Sequence, residues 1–589
     1  MFSLNVLARS DASETQVETA DLLRSDVQTE RTFRIGLLVD SALVSKYTVD
    51  LVKWAESHQK LRITHLIIHA PRQPAAQSNA AQKQGILSDF FDVLSKVLLA
   101  TILKKEHRLL RGIDRYKDHL DSFDLCSLVP GLVIVQFDQT DIGKIRDLDL
   151  DLLIQCGNAI LRREILRASK LGVISRHADN RLIPGGPPGF WEVYLRHDTT
   201  GFTLQRLTEE LGGGDVLMRG QFQTRWHFLL NQAALFEKSN YYLKLLVEKI
   251  ARMDKLPVPV RTAPYPNRLF RRPLAHEAIC YMMKVRWRLA KRFLKRISGV
   301  DYRWEVAYTK SDWPNAVLWR GLKLQTPPLH FLADPFVISS AGRDFCFVEE
   351  YDYVTNRGKI AVYDIGDGSR IGTGLEESFH LSFPFLFHYN DQLFMCPETC
   401  QKKEIRIYRC IAFPLGWTLE RTIMRNTDAA DTMLFEKGGK WWMFTNIDPT
   451  ESGDHCSELF IFFADSPFAN NWTPHPLNPI FIDASFARNG GLVRDGQSLF
   501  RVSQSHAFDF YGKQTRINEI VQLTETDYKE RCIGEITPNF AKRILGTHHL
   551  HSNGKITVFD FTTLSRVSRG PKHWIKLYRM FRDGTILHG

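Results

Sequence analysis

Five segments in the second half of the chain share one grammar, and that repetition constrains the fold more than any other feature. AGRDFCFVEE (341–350), YNDQLFMCPE (389–398), KGGKWWMFTN (437–446), RDGQSLFRVS (494–503) and SNGKITVFDF (552–561) each set a glycine, aspartate or asparagine turn before an alternating aromatic strand. The aligned turn residues Gly342, Asp391, Gly439, Gly496 and Gly554 are spaced 49, 48, 57 and 58 residues apart. A second short strand precedes each turn: DPFVI (334–338), SFPFLF (382–387), DTMLFE (431–436), RNGGLV (488–493) and HHLHS (548–552). Recurring hairpins at this period predict an all-β five-bladed propeller, because stacked blades bury sheet faces that one blade alone leaves open. A two-sheet sandwich is the alternative. In a propeller the first strand of each hairpin lines the central channel. The leading polar residues Asp334, Ser382, Asp431, Arg488 and His548 are therefore expected to ring one mouth, with Glu398 of the second repeat beside them.

The first half reads differently. FRIGLLVD (33–40), RITHLIIHA (62–70), LVIVQFD (132–138), LDLLIQCG (150–157) and GVISRH (172–177) are apolar, β-rich runs. Helical spacing occupies 45–58, 86–110 and 163–172 between them. Strands alternating with helices predict an α/β fold with a doubly wound parallel sheet, which takes ligands beyond the carboxyl ends of its strands. No G-x-G-x-x-G follows FRIGLLVD, so a dinucleotide site is disfavoured. The expected order is a mobile tail (1–32), the α/β domain (33–225), a basic helical linker (226–300), the propeller (301–570) and a C-terminal tail (571–589).

Charge is concentrated in the linker. Between Arg268 and Arg296 ten basic residues face one acid, Glu277, so this segment supplies +9 of the formal +11. Within it Met282, Val285, Leu289, Phe293 and Ile297 recur at helical spacing, which predicts an amphipathic basic helix. Two readings stay open: a solvated interdomain helix, or attachment to an anionic membrane surface through residues 268–296. Nucleic acid is the weaker partner, since no RNA-binding motif accompanies the charge. The nine cysteines are scattered, odd in number and without C-x-x-C, which fits reduced thiols in a cytoplasmic protein and disfavours a structural metal. The N-terminus turns polar within ten residues and lacks the apolar core of a secretory signal.

GVISRHADNRLIPGGPPGFWEVYLRHDTTGFTLQRLTEELGGGDVLMRG (172–220) resembles the folate-dependent formyltransferases, a family that includes the methionyl-tRNA and sugar N-formyltransferases. The matching features are a strand ending in His177, the Pro184–Gly189 loop, Trp191, TGFTLQRLTEEL and GGDVL, after LDLLIQCGNAI. The resemblance covers about 33–225. It implies 10-formyltetrahydrofolate as the cofactor, with Cys156, Gly157, Asn158, Gly213 and Gly214 as its binding positions. Attack of an amine on the formyl carbon creates an oxyanion and releases protons, which suits a hydrogen-bond donor and an imidazole. His177 keeps the family histidine. Ser175 stands where the family has asparagine, and Gly212 where it has aspartate. Asp179 or Asp215 is the candidate substitute for that aspartate, so the catalytic expectation is His177, Ser175 and Asp215.

The propeller segment resembles the five-bladed glycoside hydrolases, and more closely the propeller domain of plant glucosamine inositolphosphorylceramide transferases. The residues that carry this are FLADPFV (331–337), FVEE (347–350), HLSFPF (380–385), PET (397–399), FPLGW (413–417), DTMLF (431–435), ARNGG (487–491) and HHLHSNGK (548–555). Asp334 matches the position of the hydrolases' general base; Glu398 and Asp431 are candidates for the second carboxyl group that glycosidic chemistry requires.

Three functions compete. The first is folate-dependent N-formyl transfer to an amino group of a sugar or glycoconjugate, with a glycan-binding propeller. The second is a catalytically degenerate formyltransferase fold serving as a carbohydrate-binding scaffold. The third is a propeller-centred glycoside hydrolase or glycosyl-transferring enzyme.

Overall fold

The computed structural model describes residues 31–69, 86–134, 137–177, 184–210, 213–262, 264 and 267–567. The chain forms two compact units. One runs to Ser298 and includes Ala507–Asp509; the other holds the remaining residues from Gly299 to Gly570.

The first unit is built on a seven-stranded sheet: β1 (Phe33–Val39), β2 (Leu61–His69), β3 (Gly131–Ile134), β4 (Leu152–Gln155), β5 (Val173–His177), β6 (Thr199–Leu207) and β7 (Gly214–Gln223). Their order across the sheet is β3-β2-β1-β4-β5-β6-β7. The five strands from β3 to β5 are parallel, and β6 and β7 extend the sheet antiparallel. The chain leaves β1 for β2 on one side and later returns to β4 on the other. The topological switch point, where ligands of such sheets bind, therefore lies between the carboxyl ends of β1 and β4. Gly36 in β1 is dictated by packing, since a Cβ there would press into Leu150 and Leu153.

Six helices accompany these strands among the described residues: α1 (Lys46–Glu56), α2 (Ile86–Leu110), α3 (Gln139–Arg146), α4 (Phe190–Leu195), α5 (Phe228–Met253) and α6 (Ala275–Ser298). Ile142 and Ile145 of α3 cover Leu38, Ile67 and Leu153 on one sheet face. The helix expected over 163–172 is only a 3-10 turn, Arg163–Arg167. The amides of Lys170 and Leu171 bond the carbonyls of Leu150 and Asp151, drawing the chain back to the sheet before a helix can propagate. The strand expected over 132–138 ends at Ile134, and residues 135–136 lie outside the described residues.

The second unit is a propeller of five blades. Blade 1 comprises His330–Ser340, Arg343–Asp352, Arg357–Asp364 and Arg370–Leu375. Blade 2 comprises Ser382–Tyr389, Gln392–Glu398, Glu404–Ala412 and Gly416–Arg425. Blade 3 comprises Ala429–Lys437, Lys440–Ile447, Glu458–Ala464, Thr473–Pro474 and Phe481–Ile482. Blade 4 comprises Asn489–Asp495, Ser498–Ala507, Phe510–Leu523 and Tyr528–Ile536. The repeat was visible because all five aligned turn residues, Gly342, Asp391, Gly439, Gly496 and Gly554, adopt positive φ, which glycine and aspartate tolerate.

Blade 5 is a clasp. Thr557–Arg566 pairs with Ile544–Gly546 and Leu550–Ser552 on its inner side. On its outer side it pairs antiparallel with Val300–Thr309, from Val300↔Arg566 to Thr309↔Thr557. The blade joins the two ends of the propeller segment, a pairing that the local hairpin pattern does not disclose. Aromatic packing fills the blade interfaces: Phe336, Phe383, Phe385, Phe435, Phe444, Trp441 and Trp442 share one buried cluster.

Candidate functional site

The inner strands of blades 1 to 4 carry the same one-residue bulge. Ala333 faces Glu349 and Phe336 faces Phe347, so Asp334 and Pro335 share one place in the ladder. The pattern repeats with Ser382 facing Glu398, Ala430 facing Asn446 and Asn489 facing Ser503. A bulge bends the strand and re-aims its side chain. Asp334, Phe383 and Asp431 take left-handed φ of 51°, 46° and 47° at equivalent places. Backbone strain of this kind persists only where the surroundings over-determine it. The register makes Phe383, not Ser382, the counterpart of Asp334 and Asp431.

The site is a buried network of charge. Asp334, Glu349, Glu398 and Asp431 are all buried. The imidazole of His548 lies between two carboxylates, Nε2 3.2 Å from Asp334 Oδ1 and Nδ1 2.9 Å from Asp560 Oδ2. His549 Nδ1 approaches the same Asp334 oxygen at 3.6 Å. Asp560 also accepts the backbone amides of His548 and His549, each at 3.0 Å, which fixes the clasp blade to the network. Arg488 Nε donates to Asp431 Oδ2 at 2.7 Å, and its Nη2 reaches Glu398 Oε2 at 3.5 Å. Gln504 donates to Asp431 at 3.1 Å, and the Arg488 guanidinium lies 5.1 Å from the Tyr511 ring centre. His380 Nε2 stands 3.5 Å from Glu349 Oε1.

These surroundings separate the carboxyl groups by protonation. Burial raises Asp334, but the imidazoles of His548 and His549 beside it outweigh that and hold this carboxyl well below its ordinary range. Burial, reinforced by the negative charge of Asp334 and Glu398, pushes Glu349 well above its ordinary value. Burial pushes Asp431 up to about 8 against the pull of Arg488, with Glu398 and Asp334 adding to the push. Glu398 is buried too, yet Arg488 and His455 bring it below its ordinary value. Burial disfavours a charged His548, but Asp560 and Asp334 prevail and push it up to about 10. Neutral acids therefore sit beside ionised ones.

Asp334, His548 and Asp560 also form a group whose ligand atoms lie within 4.8 Å of one another, a spacing compatible with a cation. Here the protonated imidazole already bridges the two carboxylates. Glu349, Asp560 and His549 were not singled out from the sequence. The signal for Glu349 was present: it precedes Glu398 by 49 residues, the interval between Gly342 and Asp391.

In the first unit, the switch point is lined by Leu38, Val39, Asp40, His69, Phe137, Gln155, Gly157, Ala159 and Leu161, around a cavity of about 10 Å³. Asp40 occupies the space beside Gly157 and accepts from Asn158 through the backbone N (2.8 Å) and Nδ2 (3.1 Å). Desolvation of the half-buried Cys156 pushes its thiol up to about 11. These walls leave room for about one water, so the described part of the crevice does not fit a pteridine ring.

Ser175 is buried in the sheet, its backbone between Gln155 and Gln205. His177 ends β5 opposite Thr203; its side chain, Asp179 and Gly212 lie outside the described residues. The register does not bring Asp215 to His177. Asp215 faces Arg206, which faces Ile174, whereas the row of His177 runs through Thr203 to Arg219. Three rows along the strand and two strands across amount to roughly 14 Å. Gly213 and Gly214 share that remote end: the side-chain Nε2 of Gln205 donates to the Gly213 carbonyl at 3.2 Å, and Gly214 faces Leu207. They are therefore not beside Cys156–Asn158.

A family model described as glucosamine inositolphosphorylceramide transferase 1, N-terminal, matches residues 304–555, the propeller segment. The protein named glucosamine inositolphosphorylceramide transferase 1 of Oryza sativa subsp. japonica is 37% identical over 211 residues, covering 34% of this chain and 28% of the relative. The chain thus spans little more than a quarter of that relative's length. A methionyl-tRNA formyltransferase of Bacillus cytotoxicus is 26% identical over 194 residues, covering 32% of this chain and 59% of its own. Among solved structures, the catalytic domain of a Coprinopsis cinerea GH62 α-L-arabinofuranosidase aligns with TM-score 0.32 and 12% identity, over 46% of this chain and 99% of its own. The chain is thus similar over its propeller segment to the N-terminal part of glucosamine inositolphosphorylceramide transferase 1 and, more distantly, to a methionyl-tRNA formyltransferase.

Proposed function

We propose that this chain acts on a sugar or glycoconjugate held at the centre of its propeller, where Asp334 is the ionised carboxylate and Glu349 the protonated one. One observation carries the reading. Two carboxyl groups on adjacent strands of blade 1 are held in opposite protonation states, Asp334 by histidines and Glu349 by burial among like charges. Such a pair suits proton transfer at a glycosidic oxygen, with one group donating and the other receiving. Arg488, with guanidinium N–H groups beyond those given to Asp431 and Glu398, adds donors for hydroxyl groups. The relative named for transfer to inositolphosphorylceramide supports a glycoconjugate ligand. Calorimetric titration with amino-sugar and inositol-containing glycans, followed by turnover assays, tests it. Wild type should bind, Asp334→Asn should lose turnover, and Glu349→Gln should bind without turning over. Absence of glycan binding by wild type would sink the proposal.

A second reading, formyl transfer in the α/β domain with 10-formyltetrahydrofolate as donor, is favoured by the formyltransferase similarity. Mass spectrometry of amino sugars incubated with the protein and that donor decides it. A gain of one formyl group, lost in His177→Ala, supports it; no gain refutes it. Turnover that appears only in Gly212→Asp would instead mark a degenerate catalytic fold. A cytoplasmic setting, which would supply the folate, is part of this second reading.

A further inference from the structure

Helix α6 is apolar on two opposite faces, and only one is used inside its own unit. Ala278, Tyr281, Met282 and Val285 pack with Phe190, Phe228 and neighbouring residues of α2 and α5. On the other side Ile279 (42% exposed), Met283 (63%), Trp287 (56%), Leu294 (58%) and Ile297 (39%) stand in solvent. At 100° per residue these five fall within an arc of about 80°. Phe293, in the same helical series as Met282 and Val285, is 44% exposed and lies about 40° outside that arc. Arg286 flanks the stripe on one side, and Lys284, Lys291 and Lys295 flank it on the other.

We propose that this face of α6 docks on an anionic phospholipid surface, lying in the plane of the interface. Charge complementarity selects the occupant: α6 has seven Lys or Arg against one acid, Glu277, and although Lys284, Arg288 and Arg292 are engaged by Tyr194, Trp226 and Asp509, Arg286 and Lys291 stand exposed beside the stripe. An apolar stripe bearing Trp, Met and Leu between basic flanks buries its side chains at the acyl boundary and leaves the cations among headgroups. No helix among the described residues is long and apolar enough to cross a membrane, so α6 rests on the surface.

The test is co-sedimentation of the full chain with vesicles of phosphatidylcholine alone or mixed with phosphatidylserine. Binding to the mixed vesicles alone, weakened by added salt, is expected. Neutralising two surface cations in Arg286→Gln/Lys291→Gln should weaken partitioning about thirtyfold. Met283→Ser/Trp287→Ser should abolish it, with melting temperature and circular dichroism unchanged because both side chains are exposed. Equal binding to both vesicle types, no binding at all, or wild-type binding by both variants would overturn the proposal. So would light scattering showing that Met283→Ser/Trp287→Ser dissociates an oligomer, since the stripe would then be a protein interface.

Discussion

His548 provides the most direct quantitative test of the propeller site. Its imidazole bridges Asp334 and Asp560, and the folded protein holds its proton up to about pH 10, against 6.5 for the unfolded chain. A folded value raised above the unfolded one gives stability that is complete below pH 6.5 and is lost as pH rises through about 10. At about 1.4 kcal/mol per pH unit, the displacement is worth about 5 kcal/mol. The depression of Asp334 is the same ion pair seen from its other end and is not added. The perturbation is His548→Gln, which keeps a donor but cannot titrate. Denaturant unfolding of both proteins should be followed from pH 6.5 to 10. The stability difference, wild type minus variant, should shrink by up to about 5 kcal/mol across that range. A difference constant to within about 1 kcal/mol would show that His548 is not charged between these carboxylates, and the assignment of Asp334 as an ionised base would fall with it.

Other consequences follow from the same geometry. Arg488→Met leaves Asp431 and Glu398 buried without their cation and should cost about 3–5 kcal/mol in denaturant unfolding, with partial recovery when Asp431→Asn is added. Gly490→Ala would drive a methyl into the backbone carbonyl of His548, and Gly546→Ala one into that of Gly512. Each should destabilise by about 1–3 kcal/mol, visible as a lower melting temperature. Gly157→Ala must displace the Asp40 carboxylate that holds Asn158 and press on the Asp40 backbone, so it should lower the melting temperature, by about 1–3 kcal/mol of stability.

What was legible in the sequence depended on locality. The turn positions were readable because each positive φ is a requirement on a single residue. Asp334 and Asp431 on inner strands, and His548 two residues before one, could be found by alignment to those turns. Glu349 obeyed the same spacing, but it lay inside an apolar-looking strand and was passed over. The partnership of Val300–Thr309 with Thr557–Arg566 has no local trace, because antiparallel pairing leaves only alternation on each strand. Asp215 looked like a substitute carboxylate by sequence distance alone, and only the register of β5, β6 and β7 shows how far it stands from His177. On α6 the apolar period set Met282, Val285, Phe293 and Ile297 in one series; Met282 and Val285 pack inward, whereas Phe293 and Ile297 are exposed. Periodicity cannot say which of two apolar faces the fold will cover.

The clasp of blade 5 sets the order in which the propeller can mature during synthesis. Thr309 and Thr557 are partners separated by roughly 250 residues, and joining ends so distant costs about 4 kcal/mol more closure entropy than a hairpin turn. While the ribosome is still translating the fourth blade, Val300–Thr309 has no inner neighbour and presents an unpaired edge, a template for other nascent chains. The ring is completed only when Thr557–Arg566 emerges. A chain stalled or cut before that strand would carry four blades and an open seam, and would be a substrate for chaperones rather than a smaller working propeller.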